Sequence, residues 1–321
     1  MQAVLDCLRE LGYHEFLLPV ARETKQVLEY AIAKGMDDTI IGHLLHATET
    51  GTDAARDSEA QIRTEVRVAQ PLLRIFAFGE SRVLRGDRLV TNAEWGMAKS
   101  RELFFYLLCY GQRRKDQIGN DLWPELSRAK LRSSFHVALY RLRRALGQKD
   151  CVIYEDDRYF FSQRTKYWFD VEEFEAAIDR ANSVRATDDA EAAEHYTDAV
   201  LLYRGDFLDD FVVDRDWCRF KREALLQKHL AALRHLGEYC AANKDYNEAI
   251  RFYERLVEKD SHQESAYRET MRCQALLGER TAALKNYHRL AEFLERELGV
   301  SPAPETTSLY EQILQGQVLP D

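Results

Sequence analysis

The sequence predicts a mainly α-helical protein with a small α+β part. The order is a short helical N-terminal segment, a winged helix-turn-helix domain and an α-solenoid of the tetratricopeptide type. Three observations predict this order. A basic stretch at 128–147 has helical apolar spacing, short β-rich runs flank a group of helices between 72 and 162, and the C-terminal half contains a 34-residue repeat.

The basic stretch predicts a helix that buries one face. Its apolar residues recur at steps of four, four, three and four: Leu131, Phe135, Leu139, Leu142 and Leu146. The segment has no acid in a chain of formal net charge −9, and its arginines fall off the apolar stripe. Such a face is suited to an anionic polymer, and nucleic acid is the commonest one. A merely solvated face is the alternative for a lone helix, but the flanking sequence favours the first interpretation.

The flanking segments complete a small domain. Ile118, Leu122 and Trp123 give a short helix one face to bury, and Pro124 ends it. A helix at 98–110 closes the core. Strands are expected at 72–78, 81–84 and 88–91, and a hairpin at 151–154 and 159–162 follows the basic helix. A short helix followed by a longer one that enters a DNA groove is the helix-turn-helix plan.

The C-terminal half repeats itself at the tetratricopeptide period. Three pairs lie 34 residues apart: Ala249 and Ala283, Tyr253 and Tyr287, and Leu256 and Leu290. An earlier helical pair is expected at 171–181 and 190–203. Stacked repeats present surfaces to protein partners. The alternative is that the solenoid serves only as a spacer or dimer scaffold.

Local motifs resemble a known family. Residues 72–162 resemble the OmpR-type winged helix of SARP-type bacterial activators through Lys99-Ser100-Arg101-Glu102-Leu103, Asp121-Leu122-Trp123-Pro124 and Arg141-Leu142-Arg143-Arg144-Ala145-Leu146-Gly147. From about 168, the segments 169–174, 202–208 and 297–306 resemble the bacterial transcriptional activator domain of that family. Residues 1–70 resemble the stretch before the winged helix in STAND-class regulators, which implies that the chain is the C-terminal part of a longer protein or a shortened relative. The expected domains are therefore 1–70, 71–165 and 166–321.

The resemblance implies roles for residues of the basic helix, expected at about 129–146. Four residues would face base edges: Ser134, Val137, Tyr140 and Arg141, the last as a bidentate contact to guanine. Five would contact phosphates: Arg132, Ser133, His136, Arg143 and Arg144. The family often has a basic or hydrogen-bonding residue where Tyr140 stands. Arg158, in the hairpin turn, would enter the minor groove as a wing. A plain solvated turn is the alternative for Arg158.

Motifs of several enzyme classes are absent from the sequence. It has no GxxxxGK[ST], HExxH, GxSxG or GxGxxG, so neither an enzyme nor a bound cofactor or metal is expected. His43 and His46 lie three apart, but a place on a helix surface is the simpler interpretation. The six cysteines have no CxxC spacing and are expected to be reduced packing residues. No run of 18 apolar residues and no secretory signal occurs, which favours a cytoplasmic protein of the bacterial nucleoid.

These features predict a sequence-specific transcriptional activator. It would dock the basic helix in the major groove of double-stranded promoter DNA as a homodimer. The solenoid would dimerise and contact RNA polymerase. The alternative is a signalling adaptor whose winged helix and solenoid bind protein rather than DNA.

Overall fold

The computed structural model of the protein describes residues 73–211 and 216–317. The predicted helical segment at 1–70, with His43 and His46, lies outside the described residues. The strands are β1 (Leu73–Phe76), β2 (Arg82–Arg85), β3 (Arg88–Leu89), β4 (Val152–Glu155), β5 (Arg158–Phe161) and β6 (Tyr167–Phe169). The helices are α1 (Asn92–Trp95), α2 (Ala98–Tyr110), α3 (Lys115–Leu122), α4 (Arg128–Leu146), α5 (Asp170–Val184), α6 (Asp189–Leu202), α7 (Asp216–Ala242), α8 (Tyr246–Lys259), α9 (Glu264–Leu276), α10 (Arg280–Leu298) and α11 (Pro304–Gln315).

A four-stranded sheet opens the described part of the chain. Its order is β3-β2-β1-β6, with β2 antiparallel and β6 parallel to β1. Alternation of the side chains separates two faces: Leu73, Ile75 and Phe169 are buried, whereas Arg74 and Trp168 on the opposite face remain partly exposed. Sequence reasoning missed β6, which comes from the far side of the winged region.

Helices α2, α3 and α4 and the β4–β5 hairpin give the winged-helix arrangement. The short helix α1, also missed from sequence, begins with a capping box between Thr91 and Glu94. Helices α3 and α4 approach closely at Gly119, where a Cβ would stand 2.3 Å from a methyl group of Leu131. Helix α4 ends at Gly147, whose φ of 69° suits a residue without a Cβ.

Helices α5 to α11 pack on one another in chain order. The repeated positions lie inside this stack: Ala249, Ala283, Leu256 and Leu290 are fully buried. Gly237 of α7 leaves room for the ring of Tyr253, because a Cβ at Gly237 would stand 2.5 Å from it. The burial of these four side chains is consistent with the 34-residue spacing. The assignment as a tetratricopeptide solenoid stays a prediction.

A buried carboxylate joins the sheet to the helical stack. Asp170 is the first residue of α5 and is 2% exposed. The N–H of Ala77 donates to both of its oxygens at 2.9 Å, and the N–H of Phe78 donates to Oδ2 at 3.1 Å. Desolvation raises the pKa of Asp170 to about 6, against the lowering effect of these donors. The end of β1 is therefore fixed to the start of the helical stack.

The segment between α6 and α7 forms a second part of this junction. Leu208 donates its N–H to the carbonyl of Ala77 at 2.8 Å, and Gly79 donates to the carbonyl of Asp206 at 3.0 Å. A Cβ at Gly205 would stand 2.8 Å from the Cα of Gly79, so the two backbones are in direct contact. This close packing explains why the motif at 202–208 contains a glycine.

Helix α2 forms the third part of the junction between the sheet and the helical stack. Arg101 pairs with Asp210 at 3.0 Å, and the indole of Trp217 donates to Glu102 at 3.5 Å. The hydroxyl of Tyr110 donates to the carbonyl of Trp217 at 2.7 Å. One buried hydrophobic cluster consequently runs from the sheet through α2 into α7, across the predicted boundary at 165/166. That boundary itself stays a prediction.

Replacing the joining carboxylate should destabilise the whole described unit. Asp170→Ala removes the acceptor of two buried N–H groups, and we expect the free energy of unfolding to fall by about 2–5 kcal/mol. Urea unfolding followed by circular dichroism measures the change. Asp87→Ala is the matched control, because Asp87 is an exposed partner of Arg74 and its loss should cost about 0.5 kcal/mol or less. Equal midpoints for the two variants would show that the Asp170 bonds contribute nothing net.

Candidate nucleic-acid interface

Helix α4 divides into a buried and an exposed face. The predicted apolar stripe is buried against the winged-helix core: Leu131, Phe135, Leu139, Leu142 and Leu146. The ring of Phe135 packs edge-on against Tyr159 of β5, with centroids 4.7 Å apart. The stripe therefore fixes which residues of α4 point outward.

The exposed face combines apolar side chains with cations. Val137 is 45% exposed and Tyr140 is 65% exposed, and neither packs into the core. Around them, Arg132, Ser133, His136 and Arg144 are exposed, and Ser134 is half-buried. No acid stands within α4. An apolar group left in water beside several cations is typical of a surface that a polyanion with apolar base edges will cover.

Two arginines assigned to DNA are bound to the protein's own backbone. Arg141 donates from Nη1 to the carbonyl of Gly96 at 2.6 Å, at the end of α1. Arg143 donates from Nη2 to the carbonyl of Val152 at 2.7 Å, at the start of β4. Arg141 thus reaches a base only by leaving or sharing its bond, and Arg143 ties the hairpin to α4. Their contacts with DNA stay predictions.

The hairpin turn carries three carboxylates next to its arginine. Asp156 and Asp157 have φ values of 49° and 61°, a left-handed conformation that aspartate tolerates better than most residues. Glu155 faces Arg158 across the two strands, and all four side chains are exposed. Three carboxylates therefore surround the one arginine proposed as the wing, and a wing that approaches DNA brings them near phosphates.

Sequence reasoning missed a second basic cluster beside the wing. Arg113 and Tyr159 exchange backbone hydrogen bonds of 3.0 and 2.7 Å, which pair the turn before α3 with β5. Arg113, Arg114 and Lys115 follow one another in this turn and are exposed or half-exposed. Three consecutive cations are a visible signal in the sequence. The backbone pairing that brings them to the wing is not.

Within 73–211 and 216–317, no three His, Cys, Asp or Glu side chains gather in a way that would hold a metal ion. The five cysteines of these ranges are free thiols, and burial raises the pKa of Cys151 to about 11. None of the helices in the described ranges combines the length and apolar character that a membrane crossing requires.

Comparisons with known proteins find similarity in the helical stack and over most of the chain. Residues 169–314 match the family described as the bacterial transcriptional activator domain. The chain is 28% identical over 240 residues to the transcriptional regulatory protein MoaR1 of Mycobacterium tuberculosis (strain ATCC 25618 / H37Rv), covering 72% of this chain and 76% of the relative. The protein of the same name from Mycobacterium bovis (strain BCG / Pasteur 1173P2) matches to the same extent.

A solved structure has a similar fold. It is the structure of Mycobacterium tuberculosis EmbR in complex with a low-affinity phosphopeptide, with a TM-score of 0.64. The match covers 78% of this chain and 67% of that chain at 23% sequence identity. The likeness extends to a winged helix joined to a helical domain.

The two arginines near the end of α4 should differ in their effect on stability. Arg143→Ala removes the bond to the hairpin, and we expect the free energy of unfolding to fall by about 1–2 kcal/mol. Arg144→Ala is the matched control, because Arg144 is exposed, and its loss should change stability by about 0.5 kcal/mol or less. Chemical denaturation of both variants measures the difference. An equal cost for both would mean that the bond to Val152 does not hold the hairpin.

Proposed function

We propose that the protein is a sequence-specific DNA-binding transcriptional activator of the SARP type. In this proposal an OmpR-like winged helix at 71–165 reads promoter DNA, and a tetratricopeptide-like domain at 166–321 follows it. The matched activator domain and the relatives named as transcriptional regulatory proteins support regulation of transcription as the function. The proposed role is binding, not catalysis.

The observation that carries the DNA-binding part is the exposed face of α4. It presents Val137 and Tyr140 to solvent between cations, on a helix without any acid, in a chain of net charge −9. Large apolar side chains are also exposed elsewhere, as at Phe220, so the support comes from the combination on α4, where Val137 and Tyr140 lie among cations on a helix without an acid. Base edges offer both thymine methyl groups and hydrogen-bonding atoms to such a face.

The proposed roles divide along α4. In this proposal Ser134, Val137, Tyr140 and Arg141 contact base edges, and the exposure of Val137 and Tyr140 supports that role. The phosphate contacts belong to Arg132, Ser133, His136, Arg143 and Arg144, which hold the helix in register without reading sequence. Arg158 enters the minor groove beside the recognition site.

The helical domain supplies the remaining partners in this proposal. It dimerises the protein on double-stranded promoter DNA and contacts RNA polymerase, because stacked helical repeats bind protein. The protein then acts in the bacterial nucleoid. Residues 1–70 are proposed as the end of a repeat domain, consistent with the C-terminal part of a STAND-class regulator.

The tyrosine on the exposed face should carry selectivity. We expect Tyr140→Ala to weaken binding to the cognate duplex by about 1–3 kcal/mol and to leave binding to a random duplex nearly unchanged. Gel shifts against the protein's own upstream region and a scrambled duplex measure both. Phe220→Ala is the control, since Phe220 of α7 is 67% exposed and lies outside the proposed interface.

Three outcomes of that experiment are decisive. Equal losses on both duplexes would assign Tyr140 to backbone contact. Loss in the Phe220 control as well would indicate a general defect. If the unmodified protein does not shift its upstream region, the DNA-binding proposal fails and the adaptor alternative takes its place.

Neutralising the wing acids should tighten DNA binding. Asp156→Asn with Asp157→Asn keeps shape and tolerates the left-handed backbone, but removes two negative charges near the phosphates. We expect affinity to rise by roughly two- to tenfold at low salt and by less at high salt. Fluorescence anisotropy at two salt concentrations tests this, and Glu258→Gln on α8 is the control. Unchanged affinity would place the hairpin away from DNA.

A further inference from the structure

A cleft at the base of the hairpin has a chemistry that the proposed recognition helix does not use. Its volume is about 610 Å³, and it lies between the turn after α4 and the segment that leads from β5 to β6. Three exposed cations line it: Lys149, Arg164 and Lys166. Ser162 and Thr165 contribute hydroxyl groups to its wall.

The wall of this cleft is held by the protein's own hydrogen bonds. Ser162 donates its N–H to the carbonyl of Cys151 at 2.8 Å, and Thr165 donates its N–H to the carbonyl of Ser162 at 3.0 Å. The hydroxyl of Thr165 donates to the side-chain oxygen of Gln148 at 3.3 Å. Ser162 is 2% exposed and Thr165 is 8% exposed, so the segment that carries Arg164 and Lys166 is anchored on both sides of Arg164.

The residues that line the cleft carry an excess of positive charge. Among the described residues, no carboxylate forms a salt bridge with Lys149, Arg164 or Lys166. Asp150 is the one acid that lines the cleft. A concave site with an excess of cations raises the local concentration of anions, and it does so here in a chain of net charge −9.

We infer that this cleft binds a phosphoryl group. Three cations line one recess, two from the segment between β5 and β6 and one from the turn after α4, and this amount of positive charge suits a multiply charged anion. The N–H of Arg164 donates to the hydroxyl oxygen of Ser162 at 3.3 Å, which holds the backbone of Arg164 at the wall of the cleft. The size falls in the range of small-molecule sites, so a soluble phosphorylated compound is one source of the group. A backbone phosphate of DNA is the other, and that source rests on the proposed function.

The first arm of the test uses the full chain and pyrophosphate, without DNA. Isothermal titration calorimetry should detect binding to the unmodified protein. The double variant Arg164→Ala with Lys166→Ala should bind at least about tenfold more weakly, since two of the three cations are gone. Lys285→Ala, which removes an exposed cation of α10, is the control and should bind like the unmodified protein. Circular dichroism verifies that each variant is folded.

The second arm measures DNA affinity as a function of salt for the same proteins. If backbone phosphates occupy the cleft, the slope of log affinity against log salt should become smaller by about 2 in the double variant and stay constant in Lys285→Ala. Pyrophosphate binding lost in the double variant, with an unchanged slope, assigns the site to a soluble ligand.

The two arms together decide the inference. No pyrophosphate binding by the unmodified protein, together with an unchanged salt slope, overturns the inference even if DNA binding itself is intact. Pyrophosphate binding that survives unchanged in the double variant, with an unchanged slope, overturns it as well. If the protein binds no DNA at all, the proposed function fails and the first arm alone decides.

Discussion

The buried carboxylate of Asp170 is the constraint on which the architecture depends. It stands at the one point where a strand of the sheet becomes a helix of the stack, and it accepts the N–H groups of Ala77 and Phe78 that follow β1. A buried carboxylate is stable only where such donors surround it, so the end of β1 and the start of α5 have one permitted arrangement. The contact at Gly205 attaches the segment between α6 and α7 to the sheet side of the junction. The hydrogen bonds of Trp217 attach α7 to α2.

Features with a local cause were predictable from the sequence, and features that depend on distant pairing were not. The stripe from Leu131 to Leu146 follows from helical spacing alone, and it is buried. Strand β6 has only three residues, and its partner β1 lies more than 90 residues earlier in the chain. No local sequence pattern therefore predicts it. The bonds of Arg141 and Arg143 likewise end on carbonyl groups whose positions only the fold determines. Outward position on α4 could therefore be predicted, but not which arginines are free.

The local charge of each surface patch differs from what the net charge of the chain suggests. The chain is acidic, yet α4 and the turn at 113–115 are basic, and the hairpin turn after α4 carries three carboxylates. Fields from exposed charges fade over about 8–10 Å at physiological salt, so each patch acts on its own neighbourhood. Under the proposed function, the acidic remainder would keep other surfaces away from DNA and so favour one docking orientation. The net charge alone would have argued against any nucleic-acid partner.

Under the proposed function, the contact between Gly79 and Gly205 has a consequence for the DNA itself. The direct contact of these two backbones ties the part that would read the groove to the stack that would meet other proteins. The stack then emerges from the duplex at one fixed azimuth. Because B-form DNA turns once in about 10.5 base pairs, moving a binding site by five base pairs would carry the stack to the opposite side of the double helix, and moving it by ten would restore it. Promoters served by such a protein would be constrained in rotational phase as well as in sequence.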